Sequence, residues 1–206
     1  MPDVLPLGNY RIEEVAAPFG YVLNENYVEV KVDTDTFYEV DPDTYEAIIT
    51  VEYENAPAVG ELIIEKKGEV LDAYKGGLFA DSEDKEFVYK EGSLAGAKFE
   101  IYAAEDIYTA DMQTDENGNR NKYYAEGDLV ATVVTGEDGK AKVSDLPLGK
   151  YRVVEVEAPY GYVLNKEEQY VTFVYVDDKT PVIRESLTFA NDRQKLDLSV
   201  AKLDGE

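Results

Sequence analysis

The chain has 206 residues, enough for one or two domains with a hydrophobic core, and carries a formal net charge of −24. This acidic balance argues against binding to nucleic acid or to an anionic membrane surface, because phosphate groups would repel the chain. Cysteine and histidine are absent, which excludes a thiolate nucleophile, a Ser-His-Asp triad and zinc sites built from these residues. No apolar run reaches the ~18 residues of a membrane-spanning helix. We therefore predict no membrane insertion, no metal and no cofactor.

A block of 20 residues is written twice in the chain. Leu5–Asn24 recurs 141 positions later as Leu146–Asn165, with 15 of the 20 residues identical. Such a repeat indicates tandem copies of one folding unit, which favours the function of an array over that of a single active site. Because the first copy stands at the start of the chain, we expect an excerpt of a longer protein whose signal and anchor lie outside it.

Hydrophobic residues alternate with polar ones along most of the chain, which predicts β-strands. Val, Ile, Tyr, Thr and Phe dominate these runs, and Gly, Pro, Asn and Asp separate them. The alternating runs, in chain order, include residues 62–66, 99–101, 129–135, 140–144, 151–156, 170–176, 187–191 and 198–202. The predicted fold class is all-β, arranged as a two-sheet sandwich.

Three short segments between these runs carry turn or helix signals. An Asn-Gly pair within residues 115–119 predicts a hairpin turn, since the spaced acidic ligands and closing Glu of an EF-hand are missing. A Gly-Glu-Asp-Gly sequence predicts a second hairpin, between the runs 129–135 and 140–144. Residues 103–107 are the one stretch that predicts a turn of helix.

The alignment of the two copies extends beyond the block. Asn55 aligns with Asn191, and a lysine follows each of them after 11 positions, as Lys66 and Lys202. The repeat thus consists of a lysine strand, a long middle section, a strand with a glutamate and a terminal strand with an asparagine. The predicted divisions are residues 1–60 as the C-terminal half of a preceding repeat, 61–195 as a complete repeat, and 196–206 as the first strand of a following one.

Three polar side chains continue the apolar faces of predicted strands, namely Lys66, Glu155 and Asn191. An unpaired buried charge costs several kcal/mol, so such groups need partners or must lose their charge. Burial lowers the pKa of an amine and raises that of a carboxylic acid, which creates a nucleophile beside a proton shuttle. If the three meet, the product is a Lys–Asn isopeptide bond, with ammonia leaving. The alternatives are three solvated edge residues, or a register in which Lys67 faces inward.

Three segments together resemble the prealbumin-like, Cna B-type domains that build Gram-positive pilins and adhesin stalks: Leu94–Tyr102, Gly149–Leu164 and Phe189–Asn191. The resemblance covers residues 61–206 as a full unit and residues 1–60 as a half. It implies immunoglobulin-like, prealbumin-like β-sandwich repeats in tandem. The polar stretch from about residue 72 to 93 departs from the family pattern and leaves the path between two strands open.

In this family a lysine on the first strand joins an asparagine on the last, promoted by a Glu or Asp. Carried over, this implies a crosslink between Lys66 and Asn191, with Glu155 as the promoting acid. Asn55 is not expected to replace Asn191 as the partner of Lys66. In the family the first and last strands run parallel, and a parallel return needs a crossover of a dozen or more residues. Only ten residues separate Asn55 from Lys66.

The remaining copies of these residue types form incomplete triads. Glu14 and Asn55 have no lysine strand before them, and Lys202 has no Glu or Asn after it. One hypothesis is a simple truncation of the array. The other is head-to-tail assembly, in which Lys202 of one chain docks into the 1–60 half-unit of the next by strand donation.

The resemblance implies a structural stalk or repeat domain of a cell-surface adhesin or pilin, extracellular and cell-wall anchored. Its expected partners are the neighbouring repeats and a host or cell-surface ligand. The crosslinking reaction happens once per molecule, so we predict a self-processing protein and not an enzyme. The alternative is a ligand-binding β-sandwich without a crosslink, whose 17 tyrosines present a face for carbohydrate or protein. A glycosidase with paired carboxylates is disfavoured, because no pattern predicts a cleft.

Overall fold

A computed structural model describes residues 5–33, 39–40, 42–43, 47–76 and 86–202. Within these ranges the regular structure is entirely β, which confirms the predicted fold class. The strands are β1 (Gly8–Glu13), β2 (Tyr27–Val32), β3 (Glu39–Val40), β4 (Ala47–Ile48), β5 (Val59–Lys75), β6 (Glu86–Ser93), β7 (Lys98–Ala103), β8 (Ile107–Tyr108), β9 (Lys122–Tyr124), β10 (Leu129–Val134), β11 (Lys140–Leu146), β12 (Gly149–Glu157), β13 (Gln169–Phe173) and β14 (Val182–Asn191). The described residues contain no helix long and apolar enough to cross a membrane.

The chain divides into two compact units. The first consists of Met1–Ala58 with Tyr175–Val182, and the second of Val59–Val174 with Ile183–Glu206. The two units are defined by which residues contact one another in space, whereas the repeat boundaries at residues 60 and 195 are defined by sequence similarity. The two divisions describe different properties, so the repeat boundaries stay a prediction.

The second unit is a sandwich of two four-stranded sheets. One sheet has the order β10-β7-β12-β13, and the other has the order β11-β5-β14 with β6 also paired to β5. The sheets pack face to face, since Phe99 of β7 and Phe189 of β14 bring their ring centroids within 4.9 Å. The alternation predicted from the sequence is realised in this core: Leu62, Ile64, Phe99, Ile101, Tyr151 and Val153 are all fully buried. Each strand therefore gives one face to the core and the other to solvent.

The polar stretch that leaves a path open in the sequence forms part of a long hairpin. Residues 72–75 continue β5, and residues 86–93 form β6, paired from Lys67↔Ser93 to Lys75↔Glu86. Residues 77–85 lie outside the described part of the chain. One long strand thus serves two ladders, pairing with β11 in its first half and with β6 in its second.

The tight turn at residues 136–139 exists but does not make the predicted hairpin. The Gly139 amide donates to the Gly136 carbonyl at 2.8 Å, and the Gly136 amide donates to the Lys140 carbonyl at 2.9 Å. However, β10 pairs with β7 and β11 pairs with β5, in opposite sheets. The hairpin prediction is wrong because a short turn can also carry the chain from one sheet to the other.

The predicted helical turn at residues 103–107 is also wrong. Ala103 ends β7 and Ile107 begins β8, and the Ala104 amide donates to the Lys150 carbonyl at 2.9 Å. Both ends of the segment thus belong to strands, and the hydrogen bond to Lys150 ties the connection between them to a distant part of the chain. The turn predicted at residues 115–119 is confirmed, with the Asp115 amide donating to the Asn119 carbonyl at 2.8 Å and Gly118 at φ 81°.

The first unit repeats a hairpin of the second in the same register. β1 pairs with β2 from Gly8↔Val32, as β12 pairs with β13 from Gly149↔Phe173, and all four residues are displaced by the same 141 positions. The 175–182 segment packs in this unit, where the Asp178 carbonyl accepts the Leu23 amide at 2.8 Å. β3 and β4 form a separate short ladder.

Candidate crosslinking site

Three strands of the second unit converge on one polar cluster in the core. Lys66 lies on β5, Asn191 ends β14 beside it in the same sheet, and Glu155 lies on β12 in the facing sheet. β5 and β14 run in the same direction, because Arg184 contacts Glu61 near the start of both strands, and the two crosslinking candidates meet further along. The period of two places all three polar side chains on the inward faces.

The three side chains contact one another directly. Lys66 Nζ lies 2.5 Å from Asn191 Oδ1 and 3.1 Å from Glu155 Oε1, and Asn191 Nδ2 donates to the same Glu155 oxygen at 2.9 Å. The Lys66 and Glu155 side chains are 0% exposed. An amine, a carboxamide and a carboxyl group therefore share one water-excluded cluster.

Aromatic rings form the walls of this cluster. Lys66 Nζ lies 5.6 Å from the ring centroid of Phe99 and 5.7 Å from that of Phe189. Burial in this setting lowers the pKa of Lys66 below its ordinary range, while the charge of Glu155 and its hydrogen bond act in the opposite direction. The outcome is a lysine with a greater share of the neutral, nucleophilic amine than a lysine in water has.

Asn165 holds the glutamate in place, and the sequence argument did not name it as a site residue. Its backbone amide donates to Glu155 Oε2 at 2.9 Å, and its own side chain donates to the Ala190 carbonyl at 3.0 Å. It thereby fixes the carboxyl oxygen that faces away from Lys66 and ties the loop to β14. A signal was available, because the repeated block ends on Asn24 in one copy and on Asn165 in the other.

The neighbouring lysine points the other way. Lys67 exposes 40% of its side chain, and its Nζ lies 3.9 Å from Glu91 on the adjacent strand β6. Lys66 is fully buried. The register in which Lys67 faces inward is therefore not the one that the structure has.

Of the three residues named as incomplete triads, the first unit brings two together. Asn55 Nδ2 donates to Glu14 Oε2 at 2.7 Å, and the Asn24 amide donates to the same oxygen at 2.8 Å. Lys202 is exposed and belongs to no strand. In the described parts of the chain, no group of three or more acidic residues is placed to hold a metal ion.

This fold and cluster define a class of protein, a prealbumin-like β-sandwich with a lysine, a glutamate and an asparagine in its core. The family described as SpaA, prealbumin-like fold domain, matches residues 2–45 and 87–185, and the chain belongs to this family. The matched segments include Glu14 and Glu155. Lys66 and Asn191 lie outside them, so the argument for their pairing rests on the geometry above.

Three named proteins are similar to this chain. The trypsin-resistant surface T6 protein of Streptococcus pyogenes is 27% identical over 147 residues, which are 69% of this chain and 25% of the relative. The Bacillus anthracis TIE protein is similar in structure, with a TM-score of 0.53 and 26% identity over 92% of this chain and 26% of that one. A minor pilin of Streptococcus agalactiae matches 97% of this chain and 66% of its own, at TM-score 0.40 and 17% identity. The chain thus spans about a quarter of the first two relatives.

Proposed function

We propose that this chain is part of a stalk on a Gram-positive cell surface, and that an isopeptide bond between Lys66 and Asn191 stiffens its second unit. The observation that carries the proposal is the direct contact of Lys66, Asn191 and Glu155 inside a closed apolar core. A buried pair of charges contributes little stability by itself, because desolvation offsets the attraction. A reaction that converts the buried lysine into an uncharged amide removes this cost.

In the proposed reaction the neutral Lys66 amine attacks the Asn191 side-chain carbon Cγ. The new Nζ–Cγ bond forms, the Cγ–Nδ2 bond breaks, and ammonia leaves. Glu155 accepts a proton from Nζ and delivers one to Nδ2, which its position against both nitrogens supports. The acid ends as it began, so each molecule reacts once with no outside reactant.

We also propose a location on the cell surface, which the name of one relative supports. The S. pyogenes relative is named as a surface protein that resists trypsin, and a crosslinked sandwich would share that resistance because its chain ends cannot separate. We place this chain outside the cell in a wall-anchored protein, in contact with further repeats.

Intact mass tests the bond. The purified chain is expected to weigh about 17 Da less than its sequence, the mass of one ammonia lost in amide formation. Lys66→Ala and Glu155→Ala should each restore the full mass, whereas Lys67→Ala, one residue away and exposed, should keep the deficit. An unshifted wild-type mass would refute the bond and bring forward the ligand-binding sandwich without a crosslink.

The pH dependence of stability offers a second test. The variant Asn191→Ala has no side-chain amide at this position, so the buried Lys66 stays unreacted in it. Because the folded-state pKa of Lys66 is lowered from 10.5, the unfolded chain binds more protons between the lowered value and 10.5. The free energy of unfolding of this variant should therefore rise with pH through that window. In the wild type the lysine is an amide and gives no such slope.

Urea unfolding of both proteins between pH 7 and pH 10 measures the difference. Burial also raises the pKa of Tyr151, but this residue is common to both proteins and cancels in the comparison. If the free energy of unfolding changed with pH in the same way in both proteins, the result would contradict the proposal that Lys66 titrates in the variant and is bonded in the wild type.

A further inference from the structure

A groove opens beside the crosslinking cluster. It has a volume of about 560 Å³ and lies between residues 163–166 and residues 190–192. Asn191 lines this groove and also contacts Lys66 in the core. Asn191 is 5% exposed, whereas Lys66 is 0% exposed. The groove thus reaches the cluster at the residue that would lose its ammonia.

Two hydrogen bonds hold the sides of the groove together. The Val163 amide donates to the Asp192 carbonyl at 2.9 Å, and the Asn165 side chain donates to the Ala190 carbonyl at 3.0 Å. Asn191 stands between the two accepting residues in the chain. The first bond joins backbone groups, which every residue but proline can supply, whereas the second needs a side-chain donor. The side chain of Asn165 therefore decides how firmly this segment is held.

The same side chain fixes a backbone amide that contacts the acid. Asn165 Oδ1 accepts the Glu167 amide at 2.9 Å, so the side chain is bonded through its oxygen as well as through its nitrogen. The Asn165 amide, held in this way, donates to Glu155 Oε2 at 2.9 Å. The other carboxyl oxygen, Oε1, faces Lys66 Nζ at 3.1 Å and Asn191 Nδ2 at 2.9 Å. A continuous series of contacts thus joins the groove to the two reacting nitrogens.

We propose that Asn165 is a positioning residue for crosslinking, because its side-chain bond to the Ala190 carbonyl holds its amide against Glu155 and keeps Oε1 between the reacting nitrogens. The inference rests on the bond proposed between Lys66 and Asn191. Asn165 acts through the acid, which takes one proton from Nζ and returns one to Nδ2 as ammonia leaves. Such an acid must reach both nitrogens, and a displacement of about 1 Å can cost about a hundredfold in rate. Loss of the side-chain bond should therefore slow the reaction in a chain that still folds.

The rate of ammonia loss in the full chain tests this role. The unlinked chain is isolated in urea from inclusion bodies, and dilution starts folding, which tyrosine fluorescence follows. The intact mass of acid-quenched samples follows the loss of about 17 Da, one ammonia per bond. Asn165→Ala should fold as the wild type does and lose ammonia about tenfold to a hundredfold more slowly. Equal rates of ammonia loss in the two proteins would overturn the inference.

Two further variants make the test specific to one hydrogen bond. Asn165→Asp retains an acceptor for the Glu167 amide but lacks the donor to the Ala190 carbonyl, so it should also react slowly. Asn24→Ala is the matched control, because Asn24 makes the corresponding bonds to a glutamate and to a backbone carbonyl in the first unit. It should lose ammonia at the wild-type rate. A wild-type rate in Asn165→Asp, or a slow rate in Asn24→Ala, would contradict the role given to this bond.

A double-mutant comparison separates positioning from a general loss of structure. Glu155→Asp keeps a carboxyl group, but its shorter side chain withdraws that group from the Asn165 amide, so this variant should crosslink slowly. In this background Asn165→Ala should slow the remaining reaction little, because the contact through which Asn165 acts is already lost. A purely structural role would slow the reaction by the same factor in both backgrounds, and that result would overturn the inference.

Two outcomes distinguish this inference from the proposed bond. If the wild type folds and keeps its full mass, the bond and the role of Asn165 are both overturned. If the wild type loses one ammonia and Asn165→Ala loses it equally fast, only the role of Asn165 is overturned and the Lys66–Asn191 bond stands.

Discussion

Glu155→Gln should lower the free energy of unfolding of the second unit by about 5 kcal/mol. Without a carboxyl group to move protons, Lys66 and Asn191 stay unlinked. The unfolded chain then has a higher conformational entropy, because no bond closes a loop of 125 residues. The size follows from the chain-entropy argument for a loop of this length. For a domain of this size the midpoint of thermal unfolding should fall by roughly 10–20 °C.

Calorimetry of the wild type and the variant measures this effect, after intact mass has established the bonding state of each sample. Glu14→Gln is the matched control, because it makes the same change at the repeated position and leaves the Lys66–Asn191 bond formed. Its second unit should unfold at the wild-type temperature. Equal midpoints for wild type and Glu155→Gln would contradict a stabilising crosslink.

Under mechanical load the same substitution should release a length of chain that the wild type never yields. Force enters β5 ahead of Lys66 and leaves β14 after Asn191, so the proposed bond would carry it across neighbouring strands while the sandwich stays folded. When the bond is absent, the residues between these two positions extend. At about 3.6 Å per residue, this adds roughly 45 nm of contour length.

Single-molecule pulling from the two chain ends detects that increment directly. Glu155→Gln should show the 45 nm step, and the wild type should lack it. Lys67→Ala retains Lys66 and serves as the control that should behave like the wild type. A step of this length in the wild-type traces would show that Lys66 and Asn191 are not linked and would contradict the proposed bond.

The period-two pattern was sufficient to predict that Lys66, Glu155 and Asn191 face the core, because it is a local property. Lys66 extends the buried face of Leu62 and Ile64, and that face could be read from the sequence alone. The choice between Lys66 and Lys67 required the register of β5, which depends on its partners β11 and β6. Pairing between strands distant in the chain fixes that register.

The sequence pattern could not predict that β10 and β11 belong to different sheets. The turn at Gly136–Gly139 obeys local rules, and its hydrogen bonds form as expected. Which sheet each flanking strand joins is decided by its pairing with β7 or β5, which precede the turn by more than 30 residues. The role of Asn165 was missed for a different reason, since it acts partly through its backbone amide, which any residue but proline possesses.

The 175–182 segment has a consequence for how the protein is made. It joins β13 to β14 in the second unit, yet it packs in the first. There the tilted rings of Tyr175 and Phe19 have centroids 4.7 Å apart, and the Asp178 carbonyl accepts the Leu23 amide. Synthesis proceeds from the N-terminus, so the first unit leaves the ribosome long before these residues exist. Its last contacts form only when most of the second unit has been translated. The first unit therefore cannot be completed before the strands of the second up to β13 have been translated.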